Sequence, residues 1–237
     1  MDYQNYVIIV AAGIGLRMGS TIKKQYLCLD KIPILAHTVK VFDKCDYINE
    51  MILVVSEKDK DYCQTNIIAP FEFKKNIHLV QGGKTRQDSV FNGLKYLQEC
   101  VDSAKKTIVM IHDGVRPFVD DTIIINCING AIKHGCSIPA VKITDTIKQV
   151  DQDFCVQKTL NREMVYCAQT PQAFKMDLIL NAFGHAVKNN FSGTDDASII
   201  ENAGHKVYIV EGSKHNIKIT TPEDLVLGKY LLTLKSS

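Results

Sequence analysis

Short apolar runs, separated by longer stretches of mixed polarity, set the rhythm of the chain. Residues 6–12 are apolar without a break. Such a run suits a strand buried on both faces of a parallel sheet. Residues 51–55, 77–80 and 107–111 read as further strands, and residues 33–35 and 37–44 lead into the first of them. A polar helix is expected over 58–65. Residues 89–100 show helical spacing at Val90, Leu94 and Leu97. Residues 121–134 carry Ile124, Cys127, Ile128, Ala131 and Ile132 on one stripe, with Gly135 as the terminator. This repeated strand–helix order predicts an α/β fold with a doubly wound, mainly parallel sheet.

The rhythm changes between residues 138 and 170. Residues 147–160 alternate loosely around a polar turn at Asp151-Gln152-Asp153, which reads as a β-hairpin. An isolated hairpin is marginal in water, so it must lie on the main body or on another subunit. Helices return at 176–188 and 195–203, and strands are expected at 207–210 and 217–219. Thr221 opens a last helix, with Pro222 in its first turn and Glu223 and Asp224 beside the positive end of its dipole. No repeat or flexible linker divides the chain. One domain over 1–237 is expected, with a protruding β-arm at about 142–168.

Composition narrows the function classes. The 237 residues can bury a substantial core. A net charge of +2, with no arginine-rich tract, speaks against a nucleic-acid partner. No apolar run reaches the length of a membrane span. The eight cysteines are scattered, with no C-x-x-C pair, and no signal peptide is recognised. A reducing, cytoplasmic setting is therefore expected.

Candidate chemistry begins where the first strand ends. Gly13 and Gly15 allow a tight turn, and Arg17, Lys23 and Lys24 follow it. Glycines and fixed cations after a buried strand suit a polyphosphate. A dinucleotide fingerprint would need glycine at Met18, but Gly19 comes one place late. Gly83-Lys84-Thr85 imitates the tail of a P-loop, yet His78 stands at its leading position. Gly82 and Gly83 suit close approach of a flat base, and Ser89 is expected to cap the helix that follows. Asp113, at the end of a strand, is a candidate magnesium ligand, and Arg116 a candidate phosphate contact. Loops after the strands should meet at one edge of the sheet. The histidines lack zinc spacing and no nucleophile elbow is present, so covalent catalysis is not indicated.

The opening Ala11-Ala12-Gly13-Ile14-Gly15-Leu16-Arg17-Met18 with Lys24-Gln25 resembles that of the sugar nucleotidyltransferases. Six further motifs extend the likeness along the chain. They are Gly82 to Val90, His112 to Phe118, Asp145 to Lys148, Gln169 to Gln172, Gly193 to Ser198, and Asn216 to Leu225. Together they resemble the 2-C-methyl-D-erythritol 4-phosphate cytidylyltransferase family of the non-mevalonate isoprenoid pathway. The resemblance implies a Rossmann-like nucleotidyltransferase fold and a homodimer formed through the β-arm. It implies transfer from CTP to a polyol phosphate, with Mg2+ as cofactor and Asp113 as its ligand. Arg17, Lys24 and Lys218 would be catalytic. Ala11, Ala12, Gly13, Gly15, Gly83, Lys84, Ser89 and Asp113 would bind CTP. Arg116, Thr146, Arg162, Thr170 and Thr194 would bind the polyol phosphate, Thr146 and Arg162 by reaching into the partner subunit.

The chain departs from the family at Lys23, where proline is usual; Lys23 would then share the role of Lys24 or compensate for a looser loop. Val115 before Arg116 leans toward the related ribitol 5-phosphate cytidylyltransferases. Cys167-Ala168-Gln169-Thr170 and Thr194-Asp195-Asp196 fit the erythritol enzymes better. A nucleotide-binding module without turnover is the alternative of another class, but it does not need Arg17, Lys24, Asp113 and Lys218 together.

Overall fold

The apolar runs become the middle of one mixed sheet. The computed structural model describes residues 3–13, 22–102 and 104–236. Gly15 and Arg17 of the expected site lie outside them. The chain opens with β1 (Gln4–Val10), then a two-stranded pair, β2 (Cys28–Leu29) and β3 (Ile32–Pro33). Helix α1 (Ile34–Lys44) leads into β4 (Glu50–Val55). The polar stretch that follows is a 3₁₀ turn, a short helix α2 (Lys60–Cys63) and a wider turn at Gln64–Ile68. Next come β5 (Ile77–Gln81), α3 (Arg86–Cys100), β6 (Thr107–Asp113), α4 (Asp121–His134) and β7 (Cys136–Lys142). The arm holds β8 (Lys148–Val150) and β9 (Val156–Thr159). The chain closes with β10 (Tyr166–Ala168), β11 (Gln172–Lys175), α5 (Met176–Lys188), α6 (Asp196–Asn202), β12 (Tyr208–Glu211) and α7 (Pro222–Ser236).

The main sheet runs β10–β7–β11–β6–β1–β4–β5, with β12 also on β7. Pairings β6–β1, β1–β4 and β4–β5 are parallel, as expected, and β12 also pairs β7 in parallel. β11 enters antiparallel between β6 and β7, and β10 is antiparallel to β7. Strands β7, β10 and β11 were not foreseen. β10 and β11 are three and four residues long, too short to display a period of two.

Alternation along β1 shows why the sheet is covered twice. Val7 and Ile9 face one core with Leu53, Met110, Val39, Phe42, Ile124 and Cys127, beneath α1 and α4. Tyr6 and Ile8 face the other with Val54, Ile111, Val90, Leu94, Ile179 and Phe183, beneath α3 and α5. Each aliphatic side chain sealed in this way contributes roughly 1.5–3 kcal/mol. A smaller cluster of Leu29, Ile34, Phe118, Ile219 and Leu231 seats α7.

Two details differ from expectation. Residues 217–219 form no strand; Ile219 N–H reaches Val115 O at 2.9 Å, while Ile217 N–H turns back to His215 O at 2.8 Å. Ser89 does not cap α3. Thr85 does, accepting from Asp88 N–H at 3.0 Å while the Asp88 carboxylate accepts from Thr85 N–H at 3.0 Å. The spacing Thr85-x-x-Asp88 carried that signal, whereas Ser89 is followed three residues later by Asn92.

The arm projects as its own two-stranded sheet. Every residue of β8 and β9 is exposed, and Phe154 at its turn is 86% exposed.

Candidate active site

Three loops leave the carboxyl ends of β1, β5 and β6, and each first extends the ladder by one bond. Ala11 N–H donates to Val54 O at 2.8 Å, Gly82 N–H to Val55 O at 2.8 Å, and Gly114 N–H to Val10 O at 3.0 Å. The loops therefore start in register and open over one cavity of about 780 Å³. Ala11, Ala12, Gly13, Lys24, Gly83, Lys84, Ser89, Asp113 and Lys218 line it, as do Arg86 and Thr85. Residues from both ends of the chain thus meet where a parallel sheet receives its ligands.

Close backbone packing shapes the glycine loop after β5. A Cβ on Gly82 would run into Ala12 Cβ, and one on Gly83 into Asp88 Cβ. Ser89 sits one turn into α3. Its Oγ accepts from Gly83 N–H at 3.0 Å and donates to Thr85 O at 2.9 Å, so it holds the glycine loop in shape.

Lys24 and Lys218 bring two ammonium groups to the same cavity. Lys24 opens a 3₁₀ turn, Lys24–Tyr26, whose next residue anchors it. Buried Gln25 Nε2 donates to Ala11 O at 2.8 Å and Gly13 O at 3.0 Å, tying that turn to the loop after β1. Lys23 goes elsewhere: its Nζ meets Asp59 Oδ2 at 2.6 Å and Ser56 Oγ at 3.2 Å. It is thus a strut to the turn before α2 and does not double Lys24.

Asp113 is the electrostatic centre. Its Oδ2 meets Lys218 Nζ at 2.8 Å and Arg116 Nε at 3.5 Å, and its Oδ1 meets Arg86 Nε at 3.3 Å. Burial alone would raise its pKa, but Arg86, Lys218 and Arg116 outweigh burial and hold it well below the usual carboxylate range. Arg116 is also tied by Nη1 to Asn216 O at 2.8 Å, just before Lys218. Asn216 in turn donates from Nδ2 to Thr170 O at 2.9 Å.

Thr170 stands behind this wall. Asp113 N–H donates to its Oγ1 at 3.2 Å, and that hydroxyl lies 3.0 Å from His112 Nδ1. His112 Nε2 lies 3.1 Å from Arg116 O, an acceptor only, which assigns the proton to Nε2. With the neutral ring, Thr170 donates to Nδ1 while its oxygen accepts from Asp113 N–H, so every bond of the chain is satisfied. Burial accordingly pushes the His112 pKa down to about 4. The unfolded chain takes up this proton first, near pH 6.5. Stability from this group is thus full above about pH 6.5 and falls as pH drops toward 4. The loss amounts to about 3 kcal/mol over that window. Urea denaturation across the range should show this slope in the native protein and lose it in His112→Gln; equal slopes would remove His112 as its source.

The remaining expected residues are spread wider. Thr194 is exposed on the segment before α6. Thr146 and Arg162 are exposed on the arm, where Arg162 Nη1 donates to Thr144 O at 3.0 Å. Sequence reasoning missed Arg86, which carried no signal beyond its place in the glycine motif. Its fork grips Asp196 through Nη1 to Oδ1 at 3.1 Å and Nη2 to Oδ2 at 2.7 Å.

Among the described residues no cluster of three or more His, Cys, Asp or Glu side chains forms a metal cage. A single carboxylate on the cavity wall suits Mg2+, which keeps most of its shell for waters and substrate phosphates. No helix among the described residues is long and apolar enough to cross a membrane.

The profile of the 2-C-methyl-D-erythritol 4-phosphate cytidylyltransferase family matches residues 5–234. Enzymes of that name from Clostridium novyi and Alkaliphilus oremlandii are similar to this chain. The first is 45% identical over 229 residues, covering 97% of this chain and 96% of the relative. The second is 46% identical over 227 residues, covering 95% and 94%. The crystal structure of 4-diphosphocytidyl-2C-methyl-D-erythritol synthase from Anaerococcus prevotii superposes with a TM-score of 0.83 at 35% identity, covering 98% of this chain and 99% of that one. The cytidylyltransferase structure from Francisella tularensis gives 0.79 at 32% identity, covering 96% and 99%.

Proposed function

The chain belongs to the 2-C-methyl-D-erythritol 4-phosphate cytidylyltransferase family, and on that premise we propose how its pocket divides the work. The reaction joins CTP to 2-C-methyl-D-erythritol 4-phosphate and releases pyrophosphate, a step of non-mevalonate isoprenoid synthesis. The ribitol phosphate alternative is not favoured.

A phosphate oxygen of the acceptor attacks the α-phosphorus of CTP in line. The new O–P bond forms as the bond to the β-phosphate oxygen breaks, and pyrophosphate leaves with that electron pair. The nucleophile is already anionic near neutral pH, so no general base is needed. The protein's task is positioning and neutralisation of spreading charge. Lys24 and Lys218, which line the same cavity, take the phosphates, and Arg17 would join them in that role. Ala11, Ala12, Gly13, Gly15 and Gly83 accept cytosine and ribose against backbone, with Ser89 fixing the glycine turn and Lys84 at the rim. Asp113 would hold Mg2+ together with phosphate oxygens, and the ion would neutralise charge on the triphosphate. Arg116, Thr170 and Thr194 belong to the acceptor side; Thr170 acts there through His112 and the backbone of Asp113.

The arm completes the enzyme as a homodimer. Support comes from its exposed apolar side chains, with Phe154 at 86% and Met164 at 80%, on a hairpin too small to stand alone. Thr146 and Arg162 would reach the partner's acceptor site from it. The eight cysteines are all unbridged, in keeping with a reducing cytoplasmic setting.

The observation that carries this reading is the meeting of Lys24, Lys218 and Asp113 with Gly13 and Gly83 in one cavity. Its test is pyrophosphate release from CTP and Mg2+ with each acceptor. Methylerythritol phosphate should be used at least about 10-fold better than ribitol phosphate in kcat/KM. The reverse order would transfer the chain to the ribitol enzymes.

A further inference from the structure

Arg86 spends its nitrogens on two carboxylates from distant parts of the chain. Nη1 and Nη2 fork onto Asp196 at 3.1 and 2.7 Å, and Nε turns to Asp113 Oδ1 at 3.3 Å. Asp196 has no exposed surface, so it meets no substrate; its charge is matched by Arg86. The next residue repeats the grip. Gln87 Oε1 accepts from Gly193 N–H at 3.0 Å, and its Nε2 donates to Phe191 O at 3.1 Å. Thr194 lies between these anchors. The first turn of α3, which begins at the nucleotide's glycine loop, therefore also holds the segment at 191–196.

Asp113 is divided in the same economical way. Lys218 and Arg116 share Oδ2, while Arg86 has Oδ1. If Lys218 turns to a phosphate, Arg86 still fixes the carboxylate's plane. A lysine at position 86 has the charge but not the planar fork, and cannot serve both acids at once.

We propose that Arg86 is a positioning residue: with Asp196 as its buried anchor, it sets the Asp113 carboxylate and the 191–196 segment at a fixed separation from the nucleotide loop. The inference rests on the proposed reading that Asp113 and Thr194 face the two substrates. Without the strut the CTP loop survives, since Ser89 and Thr85 shape it independently. The acceptor, however, would be presented loosely to the α-phosphate.

Arg86→Lys and Asp196→Asn test this, together with the double variant. Calorimetric titration with CTP counts folded sites, so that kcat is expressed per site. In both single variants kcat should fall about 10–100-fold and the acceptor KM should rise, as for other groups that orient a site from behind. The Kd for CTP should stay within about threefold. The double variant should be no worse than Arg86→Lys alone, because the fork is one device. Per-site kcat and acceptor KM within about threefold of the native values in Arg86→Lys, or in Asp196→Asn if it binds CTP, would overturn the proposal whatever happens to Tm. Native protein that binds CTP but releases no pyrophosphate would instead sink the functional reading, and the proposal with it.

Discussion

Replacing Lys24 by alanine lowers kcat by about 10²-fold or more, equivalent to roughly 2.7 kcal/mol of transition-state stabilisation. The size follows from placement. Lys24 opens a turn whose buried neighbour, Gln25, is bonded to the carbonyls of Ala11 and Gly13. The backbone that carries Lys24 is therefore held against the loop after β1, on the wall of the same cavity, so the proposed phosphate contact starts from an anchored turn. The adjacent lysine offers no substitute, because Lys23 is engaged by Asp59 at 2.6 Å and Ser56 at 3.2 Å. Steady-state kinetics with CTP and methylerythritol phosphate decide the matter. Turnover in Lys24→Ala within a few-fold of native would take this lysine out of the reaction, and full activity in Lys24→Gln would show that its charge is irrelevant.

Asp113→Asn separates binding from turnover. The carboxylate is nearly buried and is shared by Arg86, Arg116 and Lys218. Removing its charge takes away the carboxylate that Lys218 and Arg116 share and leaves Arg86 with Asp196 alone. Breaking a buried pair in this way costs about 3–5 kcal/mol, so the ligand-free protein should melt at a clearly lower temperature. CTP then becomes the anion that relieves the cluster. Its affinity should hold or improve, and added CTP should restore much of the lost Tm. Turnover should nevertheless fall by about 10²-fold or more, since the group that orients Lys218 and would hold Mg2+ is gone. A variant that turns over normally, or one that loses CTP affinity in step with kcat, contradicts this account of Asp113.

The chemistry on one cavity wall was legible because glycine loops and strand ends leave local marks. Gly13, Gly83, Asp113 and the sense of β1, β4, β5 and β6 follow from runs, turns and the rule that ligands gather beyond parallel strands. Which cation does what was not legible. Lys23 and Lys24 are adjacent and identical in type, and only the position of Asp59 separates their roles. Thr170 carries a hydroxyl suited to a ligand, yet His112 and Asp113 claim it. The segment at 217–219 has the residues of a strand but forms no ladder: Ile219 bonds to Val115, and Ile217 turns back to His215.

From the sequence alone came what a residue's near neighbours decide. That covers the alternating strands and helices, the doubly covered parallel core, the hairpin arm, and the motifs from Ala11 to Leu225 that mark a cytidylyl transfer. The tertiary structure decided everything that depends on partners far along the chain. It inserted β11 antiparallel between β6 and β7, sent Lys23 to Asp59, and joined Arg86 to Asp196 across 110 positions. Periodicity and capping act over a few residues and leave a trace in the order of amino acids. An ion pair or a short buried strand is chosen by whatever the finished core brings within about 3 Å, and no local pattern encodes that choice.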